Sequence, residues 1–172
     1  MSSLKPCVDA LYEGVDRVAE HIPGVPKCEV LLIRLLLLNG GALQRDVEDK
    51  LKPFDMNDSD FRTLMMLYSS ADGTSTPGEL CALAEQKPTN MTRITSMLAK
   101  RGLITRTHAT HDRRQVVLKI TADGRRFVRK LLPPMFPELV AKFSCFSDTE
   151  RKTFERLLRK LALHLDPVAP SP

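Results

Sequence analysis

The stretch from Thr76 to Thr121 constrains the fold of this chain more than any other part of the sequence. Its first four residues, Thr76–Glu79, have the form of a capping box with proline at the first helical position, and they predict a short helix. After a brief interruption at 86–88, a second helix is predicted from about Thr89 to Arg101, and Gly102 ends it. Two helices joined by so short a turn predict a helix-turn-helix.

The second of these helices has two unlike faces. Met91, Ile94 and Leu98 recur at helical spacing and are predicted to face the core. The opposite face carries short hydroxyls and basic groups: Thr89, Thr92, Arg93, Ser96 and Lys100. Side chains of these types are the ones that contact bases and phosphates when a helix lies in the major groove of DNA.

Two strand-like segments follow the second helix. They are Leu103–Thr107 and Gln115–Ile120, and the link between them, His108–Arg114, is polar and basic. A hairpin directly after a helix-turn-helix is a wing, and arginines at its tip can enter the narrow minor groove. The predicted fold class is therefore mainly α with a small β-hairpin wing: a winged helix-turn-helix with a helical dimerisation region.

The charge of the chain is concentrated in the same region. The net charge is +5 overall, but the 44 residues from Lys87 to Lys130 carry twelve Lys or Arg and only two acids, a net +10. The remainder carries 14 bases and 19 acids, a net −5. Such a block suits a polyanionic partner such as double-stranded DNA, although a charge run can also be only a solvated surface.

Helical segments flank the predicted winged helix-turn-helix, the DNA reader of residues 76–121, on both sides. An amphipathic segment extends to about His21, and a long helix follows from about Lys27 to Leu51. Its Leu-rich half, Val30–Leu38, is apolar nearly all round, and we expect a partner subunit to cover it. Three prolines between 133 and 137 break a later helix, which resumes towards Phe146, and a capping box at 147–150 starts the terminal helix. The predicted organisation is N-terminal dimerisation helices over 1–54, a DNA-binding domain over 55–124, and C-terminal dimerisation helices with a short tail over 125–172.

The remaining composition indicates an ordinary globular protein. The four cysteines, Cys7, Cys28, Cys81 and Cys145, are scattered, which predicts neither disulfides nor a zinc site, and we expect a reducing, cytoplasmic location. No apolar run is long enough to span a membrane, and no signal region is recognisable. No metal and no cofactor is expected, because the only histidine cluster lies on the basic wing.

Several of these motifs together resemble the MarR family of bacterial regulators. The motifs are Met91–Ile104, with its Lys-Arg-Gly, then the wing segment His111–Arg114, and then Leu118–Gly124. The resemblance covers roughly residues 27–165. The segments Pro88–Arg93 and Leu132–Pro134 are most similar to the multidrug-efflux repressor branch of that family.

The resemblance implies a homodimer whose terminal helices interlock. It also implies repression at a palindromic promoter site, relieved when a small aromatic or anionic effector binds between the dimer helices and the reader. The segment Leu4–Val18 lies outside the shared core of the family. We expect it to embrace the partner subunit, with folding back on its own chain as the alternative.

The predicted DNA contacts lie on the second helix and on the wing. In the major groove they are Thr89, Asn90, Thr92, Arg93 and Ser96; the alternative for Thr89 and Asn90 is that they only cap the helix. On the wing, Arg114 is predicted to enter the minor groove, Arg113 to meet phosphate and Asp112 to support the hairpin by pairing with an arginine; the alternative is that these residues only form an exposed salt bridge of the loop.

The effector site is predicted from three residues. Arg34 interrupts an apolar stretch, so it must meet a carboxylate, a carbonyl or water; it could bind an anionic effector or pair with an acid across the dimer. Met65 and Tyr68 could line the same pocket, with core packing as the alternative.

Three other functions compete with this regulator. An enzyme is disfavoured because the sequence contains no phosphate loop, nucleophile elbow or zinc-protease motif. A dimeric adaptor without DNA binding would not need the basic block. A redox-sensing regulator acting through Cys7 or Cys28 is a further alternative, although lone cysteines are more often inert parts of the core. The regulated pathway stays open between multidrug efflux, aromatic-acid catabolism and surface polysaccharide.

Overall fold

The computed structural model describes residues 3–84, 86–108 and 116–166, which form eight α-helices and one three-stranded sheet. The helices are α1 (Lys5–His21), α2 (Lys27–Leu51), α3 (Asp58–Ser69), α4 (Pro77–Ala84), α5 (Pro88–Lys100), α6 (Ala122–Leu131), α7 (Phe136–Lys142) and α8 (Asp148–Leu165). The strands are β1 (Thr74–Ser75), β2 (Ile104–His108) and β3 (Val116–Ile120). Single 3-10 turns at Lys52–Phe54 and Pro133–Met135 complete the elements. This mainly helical winged fold confirms the predicted fold class.

Capping boxes begin three of the helices, and the sequence analysis predicted those of α4 and α8. At α4 the backbone N–H of Thr76 donates to Glu79 Oε2 (2.8 Å), and the N–H of Glu79 donates to Thr76 Oγ1 (3.2 Å). The Thr76 N–H and the Ser75 hydroxyl hold the pKa of Glu79 below its ordinary value, because both bonds favour the carboxylate. Asn57 and Ser147 form the equivalent boxes at α3 and α8.

The first helix packs against its own chain. Val15 of α1 is buried, and Asp16 forms an ion pair with Lys27 at the start of α2 (2.9 Å). The bend at 22–26 therefore lets α1 run back along α2. The structure shows the N-terminal segment folded back on its own chain, and the predicted contact of this segment with a partner subunit stays a prediction.

A single apolar core joins α3, α4, α5, the sheet and α6. Its fully buried side chains include Leu64, Leu67, Leu80, Met91, Ile94, Leu98, Leu118 and Val128. Leu51, at the end of α2, is 0% exposed in the same core, so the long helix is anchored in the reader. Gly124 is required here because a Cβ on it would lie 2.2 Å from the Leu103 carbonyl oxygen.

The sheet has one strand more than the predicted hairpin. Its order is β1-β3-β2 and both pairings are antiparallel, with Thr74 opposite Lys119 and Arg106 opposite Leu118. The strand β1 has only two residues, which is too short for an alternating pattern to reveal it. It joins the reader's α3–α4 connection to the base of the wing.

The helix that follows the proline-rich segment ends earlier than predicted. The helix α7 stops at Lys142 instead of continuing towards Phe146. The N–H groups of Phe143 and Ser144 donate to the carbonyls of Val140 and Ala141, three residues back. Such bonds tighten the last turn, so the chain leaves the α-helix there.

Large apolar side chains of α2 and α8 are exposed in the single chain. Within α8 no residue is buried, although Phe154, Leu157, Leu158, Leu161 and Leu165 lie on one stripe. On α2 the exposed side chains include Leu32, Ile33, Leu36 and Leu37. The Leu-rich half of α2 is therefore covered only in part by its own chain.

Candidate nucleic-acid interface

The helix α5 is fixed to the reader by its inner face. Met91, Ile94 and Leu98 are at most 1% exposed, as the helical spacing predicted. Pro88 occupies the first turn of the helix, where its missing N–H costs nothing, so the proline starts the helix instead of preceding it. This anchoring leaves the opposite face of α5 directed to solvent.

The outer face carries the predicted row of polar side chains. Thr89, Thr92, Arg93 and Ser96 are exposed, and Asn90 is half-buried beside them. Within the described residues, no side chain caps the start of α5, so Thr89 and Asn90 do not have the capping role that was their alternative. The first backbone N–H groups of the helix are consequently available to an external acceptor.

Two hydroxyls of the row are constrained by hydrogen bonds. Thr92 Oγ1 donates to the carbonyl of Pro88 one turn earlier (3.0 Å), which leaves this hydroxyl only as an acceptor. Ser96 Oγ accepts from Arg106 of β2 (3.2 Å), which leaves the serine proton available to donate. The neighbouring Arg101 has a structural role, because it donates to the carbonyl of Asp55 and lies over the Phe127 ring.

Arg93 is linked to an acid that the sequence did not single out. Its Nη2 donates to Oδ1 of Asp60 (3.3 Å), whose side chain is 5% exposed. The second carboxylate oxygen accepts the N–H of Asn57 at the start of α3. Arg93 Nε also donates to Asn90, and Asn90 donates to Gln86. A chain of hydrogen bonds therefore runs from the start of α3 to the turn between α4 and α5.

A sequence signal for Asp60 was available. The spacing Asn57-x-x-Asp60 matches a capping box, which marks the carboxylate as a helix-start residue. Its contact with Arg93 spans 33 residues and has no local signature.

The wing is described only at its base. The strands β2 and β3 pair from Ile104–Ile120 out to His108–Val116. Asp112, Arg113 and Arg114, together with the rest of 109–115, lie outside the described residues. Their predicted roles at the minor groove, at phosphate and in hairpin support therefore stay predictions.

The three predicted effector residues lie in two different settings. Arg34 lies on the exposed surface of α2, where water reaches it, and borders a groove against α1. Met65 and Tyr68 are half-buried and pack against the reader core, with Arg125 5.9 Å from the centre of the Tyr68 ring. The structure thus favours core packing for Met65 and Tyr68.

The cysteines and the possible metal ligands give no further site. Cys7, Cys28 and Cys145 are exposed and Cys81 is half-buried in the single chain, so Cys7 and Cys28 are not the core residues that were expected by default. Among the described residues, no group of three His, Cys, Asp or Glu side chains could hold a metal ion. Within that same part of the chain, no helix is both long enough and apolar enough to cross a membrane.

Comparison with known proteins identifies the family of the chain. The sequence profile of the MarR family matches residues 54–115. The transcriptional repressor MprA of Escherichia coli K12 is 37% identical over 142 residues, which are 82% of this chain and 80% of MprA. The chain belongs to the MarR family of transcriptional regulators. This membership confirms the predicted regulator and rejects the enzyme.

Solved structures of MarR-family proteins share the fold. AbsC of Streptomyces coelicolor matches with a TM-score of 0.72 at 20% identity, over 84% of this chain and 96% of that one. A mutant of Escherichia coli MarR, solved in complex with operator DNA, matches with a TM-score of 0.68 at 24% identity, over 83% of this chain and 96% of that one.

Proposed function

We propose that this MarR-family chain is a homodimeric, ligand-responsive repressor that binds a palindromic promoter site. The observation that carries the proposal is the outer face of α5, where an exposed polar row stands opposite a fully buried apolar face. The repressor role is supported by the similarity to MprA, which is named a transcriptional repressor. DNA binding is supported by the shared fold of MarR, which was solved with operator DNA.

Each residue of the row suits a different contact. Thr89 and Asn90 stand at an uncapped helix start, where backbone N–H groups bind phosphate and the Asn90 amide can reach a base. Thr92 has committed its proton to Pro88, so its methyl group suits a thymine methyl. Ser96 keeps a proton to donate to a phosphate oxygen.

Arg93 combines a structural contact with a DNA contact. Its guanidinium uses Nε on Asn90 and Nη2 on Asp60, and its side chain is still 52% exposed. The remaining donors can reach guanine or phosphate without breaking the pair with Asp60. In this arrangement Asp60 positions Arg93 before DNA arrives.

The wing and the dimer complete the proposed complex. Arg114 would enter the minor groove, Arg113 would contact phosphate, and Asp112 would hold the hairpin. The uncovered stripe of α8 supports a second copy of the chain. Two readers held in this way would contact half-sites about one helical turn apart, roughly 10 base pairs between centres.

The effector would be a small aromatic or anionic molecule whose binding releases the promoter. An anionic ligand matches the two basic side chains, Arg34 and Arg45, that border the groove between α1 and α2. Release on ligand binding requires different affinities of the ligand for the DNA-bound and DNA-free conformations.

A salt titration tests the proposal. The palindromic site is first selected from random DNA with the full chain. The affinity for this site is then measured by fluorescence anisotropy from about 50 to 200 mM salt. Over this range a protein that makes several phosphate contacts should lose about three orders of magnitude in affinity. Arg93→Ala should weaken binding and lower the salt slope by about 1 if Arg93 meets phosphate. Lys52→Ala, an exposed charge outside the reader, is the control.

Two results would contradict parts of this scheme. A flat salt response, or failure to select any DNA, would reject the repressor and leave a dimeric adaptor. Wild-type affinity in Arg114→Ala would reject the minor-groove role of the wing.

A further inference from the structure

The carboxylate of Asp60 reaches the guanidinium of Arg93 from another helix. The two residues are 33 positions apart in the chain, Nη2 lies 3.3 Å from Oδ1, and the acid is 5% exposed while the arginine is 52% exposed. The other arginine–carboxylate pairs of the described residues join positions three or four apart on one helix, and their acids are 23% to 84% exposed. Arg93 is therefore a surface side chain that the packing of α3 on α5 ties to a fixed point in the interior.

This contact leaves one edge of the Arg93 guanidinium for an external partner. Nε donates to Asn90 Oδ1 (3.1 Å) and Nη2 donates to Asp60 Oδ1, so the edge formed by these two nitrogens is occupied. Both protons of Nη1 and the second proton of Nη2 remain, and they form a planar fork. Asn90 is itself held, because its amide nitrogen donates to Gln86. The free fork therefore has a fixed direction before DNA binds, and a fork of this kind matches O6 and N7 of guanine.

The same contact reduces the charge that Arg93 can offer to a phosphate. A phosphate contact depends mainly on charge, because each neutralised phosphate releases counterions. Arg93 and Asp60 together carry no net charge, and the buried position of the acid limits the screening of their interaction by water. Guanine is a neutral partner that requires correctly placed donors, not net charge. The pair therefore favours guanine over phosphate.

We infer that Asp60 makes Arg93 a reader of guanine in the major groove, because it fixes the direction of the guanidinium and neutralises its charge. Asp60 acts through Arg93, so it is a positioning residue that determines specificity. Arg93 lies in the first half of α5, and the first half of a recognition helix is the part that contacts base edges. This assignment rests on the proposed function, because it names the base that the proposed repressor recognises.

Substitution of base pairs in the selected palindrome tests the role of Arg93. Each pair is changed symmetrically in both half-sites, and the affinity of the full chain is measured by fluorescence anisotropy. For wild type, replacement of one particular G·C pair by A·T should cost about tenfold or more in affinity. Arg93→Lys should lose the preference at that pair alone, since an ammonium group has no fork. Arg93→Ala should lose the same preference without changing the salt slope, because no phosphate contact is removed.

Asp60→Asn tests the role of the acid. It removes the negative charge and leaves Arg93 with an uncompensated charge that can turn to a phosphate. The preference for the G·C pair should fall about tenfold, while the salt slope should become steeper by about 1. A merely destabilised protein would lose affinity for all sequences equally and would show no steeper slope.

Two neighbouring residues provide matched controls. Asn57→Ala removes the side chain that caps α3 by accepting the Asp60 N–H (2.9 Å), but it leaves the Asp60 carboxylate in place. Asp58→Asn removes another acid of the same first turn, whose carboxylate lies 3.9 Å from Arg62. Both variants should keep the wild-type preference for the G·C pair. The stability of the helix start and the loss of a nearby charge would then not account for the result with Asp60→Asn.

Contrary results separate this assignment from the proposed repressor. If Arg93→Ala weakens binding to all sequences equally and lowers the salt slope by about 1, Arg93 contacts phosphate, and the repressor stands without guanine recognition by Arg93. An unchanged preference in Asp60→Asn, or equal losses in Asp60→Asn and Asn57→Ala, would show that Asp60 only caps α3. Failure to select any DNA would reject the repressor and the guanine contact together.

Discussion

At the scale of single residues, the buried carboxylate of Asp60 links the start of α3 to α5. Its carboxylate is 5% exposed and serves two elements, because one oxygen accepts the Asn57 N–H of α3 and the other accepts from Arg93 of α5. A buried acid with both oxygens engaged is costly to remove, since its partners lose their acceptor. Asp60 is therefore a positioning residue for α5.

We expect Asp60→Ala to lower the free energy of unfolding by about 2 to 3 kcal/mol, because it removes a helix cap and a charged hydrogen bond together. Asp60→Asn retains an acceptor and should cost less. Urea denaturation measures both. Asp58→Ala, an acid in the same first turn with 23% of its side chain exposed, is the control and should cost under about 1 kcal/mol. A loss in Asp58→Ala as large as in Asp60→Ala would contradict the special role of Asp60.

At the scale of elements, an ionic cluster fastens α7 to α2. Asp46 Oδ2 lies 2.5 Å from Lys50 Nζ and 2.9 Å from Lys142 Nζ, and Lys50 Nζ also lies 2.6 Å from Glu138. The prolines between 133 and 137 interrupt the helix here, so α7 cannot rely on continuity with α6. Charge pairing replaces that continuity and holds the short helix on the long one.

The cluster predicts a pH dependence of stability. Hydrogen bonds from Lys50, and then from Lys142, hold the pKa of Asp46 below its ordinary value of 3.8. The stability that the Asp46 carboxylate adds to the folded state is therefore present above about pH 4, and it is lost as the pH falls through the lower, folded-state pKa of Asp46. Asp46→Asn should cost about 1 kcal/mol at pH 7, and the difference from wild type should shrink as the pH falls through the lowered pKa of Asp46.

Urea denaturation at neutral and at strongly acidic pH measures this convergence. The matched control is Asp49→Asn, which removes an exposed carboxylate on the same helix that pairs with Lys52. A constant difference between Asp46→Asn and wild type at both pH values would show that charge pairing with Asp46 is not the cause.

At the scale of the whole molecule, the single chain leaves two apolar surfaces exposed. Every residue of α8 is at least partly exposed, and its apolar stripe is covered only in part by the described residues of its own chain, chiefly where Phe146 stacks on Phe154. The exposed leucines of α2 form a second uncovered surface. Apolar areas of this extent mark an interface, which is consistent with the proposed homodimer.

We expect the double change Leu158→Glu and Leu161→Glu to convert the dimer into a monomer, because two charges on the apolar stripe would have to be buried. Sedimentation measures the mass, and anisotropy should show at least about a tenfold loss of affinity for the palindrome, since one reader replaces two. Leu163→Glu, on a different side of α8 at 68% exposure, is the control and should remain dimeric. An unchanged mass in the double variant would place the interface elsewhere.

Much of this fold could be predicted from local patterns. Helix starts were predictable because Asn57, Thr76 and Ser147 act within their own first turns. The buried face of α5 was predictable because Met91, Ile94 and Leu98 repeat with the helical period. The outward row of α5 follows from the same period.

Other parts depended on contacts that have no local pattern. The strand β1 exists only because β3 pairs with two residues that lie far earlier in the chain, Thr74 opposite Lys119 and Ser75 opposite Leu118. The Asp60–Arg93 pair and the exposed setting of three cysteines follow from how helices pack, which a single sequence does not display.

The sequence by itself therefore determined the reader, its capped helices and its concentrated positive charge, because these arise from residue types and short-range spacing. Only the tertiary structure decided that α1 folds back on α2, that a groove with two unpaired arginines results within the described residues, and that Met65 and Tyr68 belong to the core. The physical reason is the range of the interactions: capping and periodicity act within a few residues, whereas grooves, ion pairs and burial are set by the packing of distant segments.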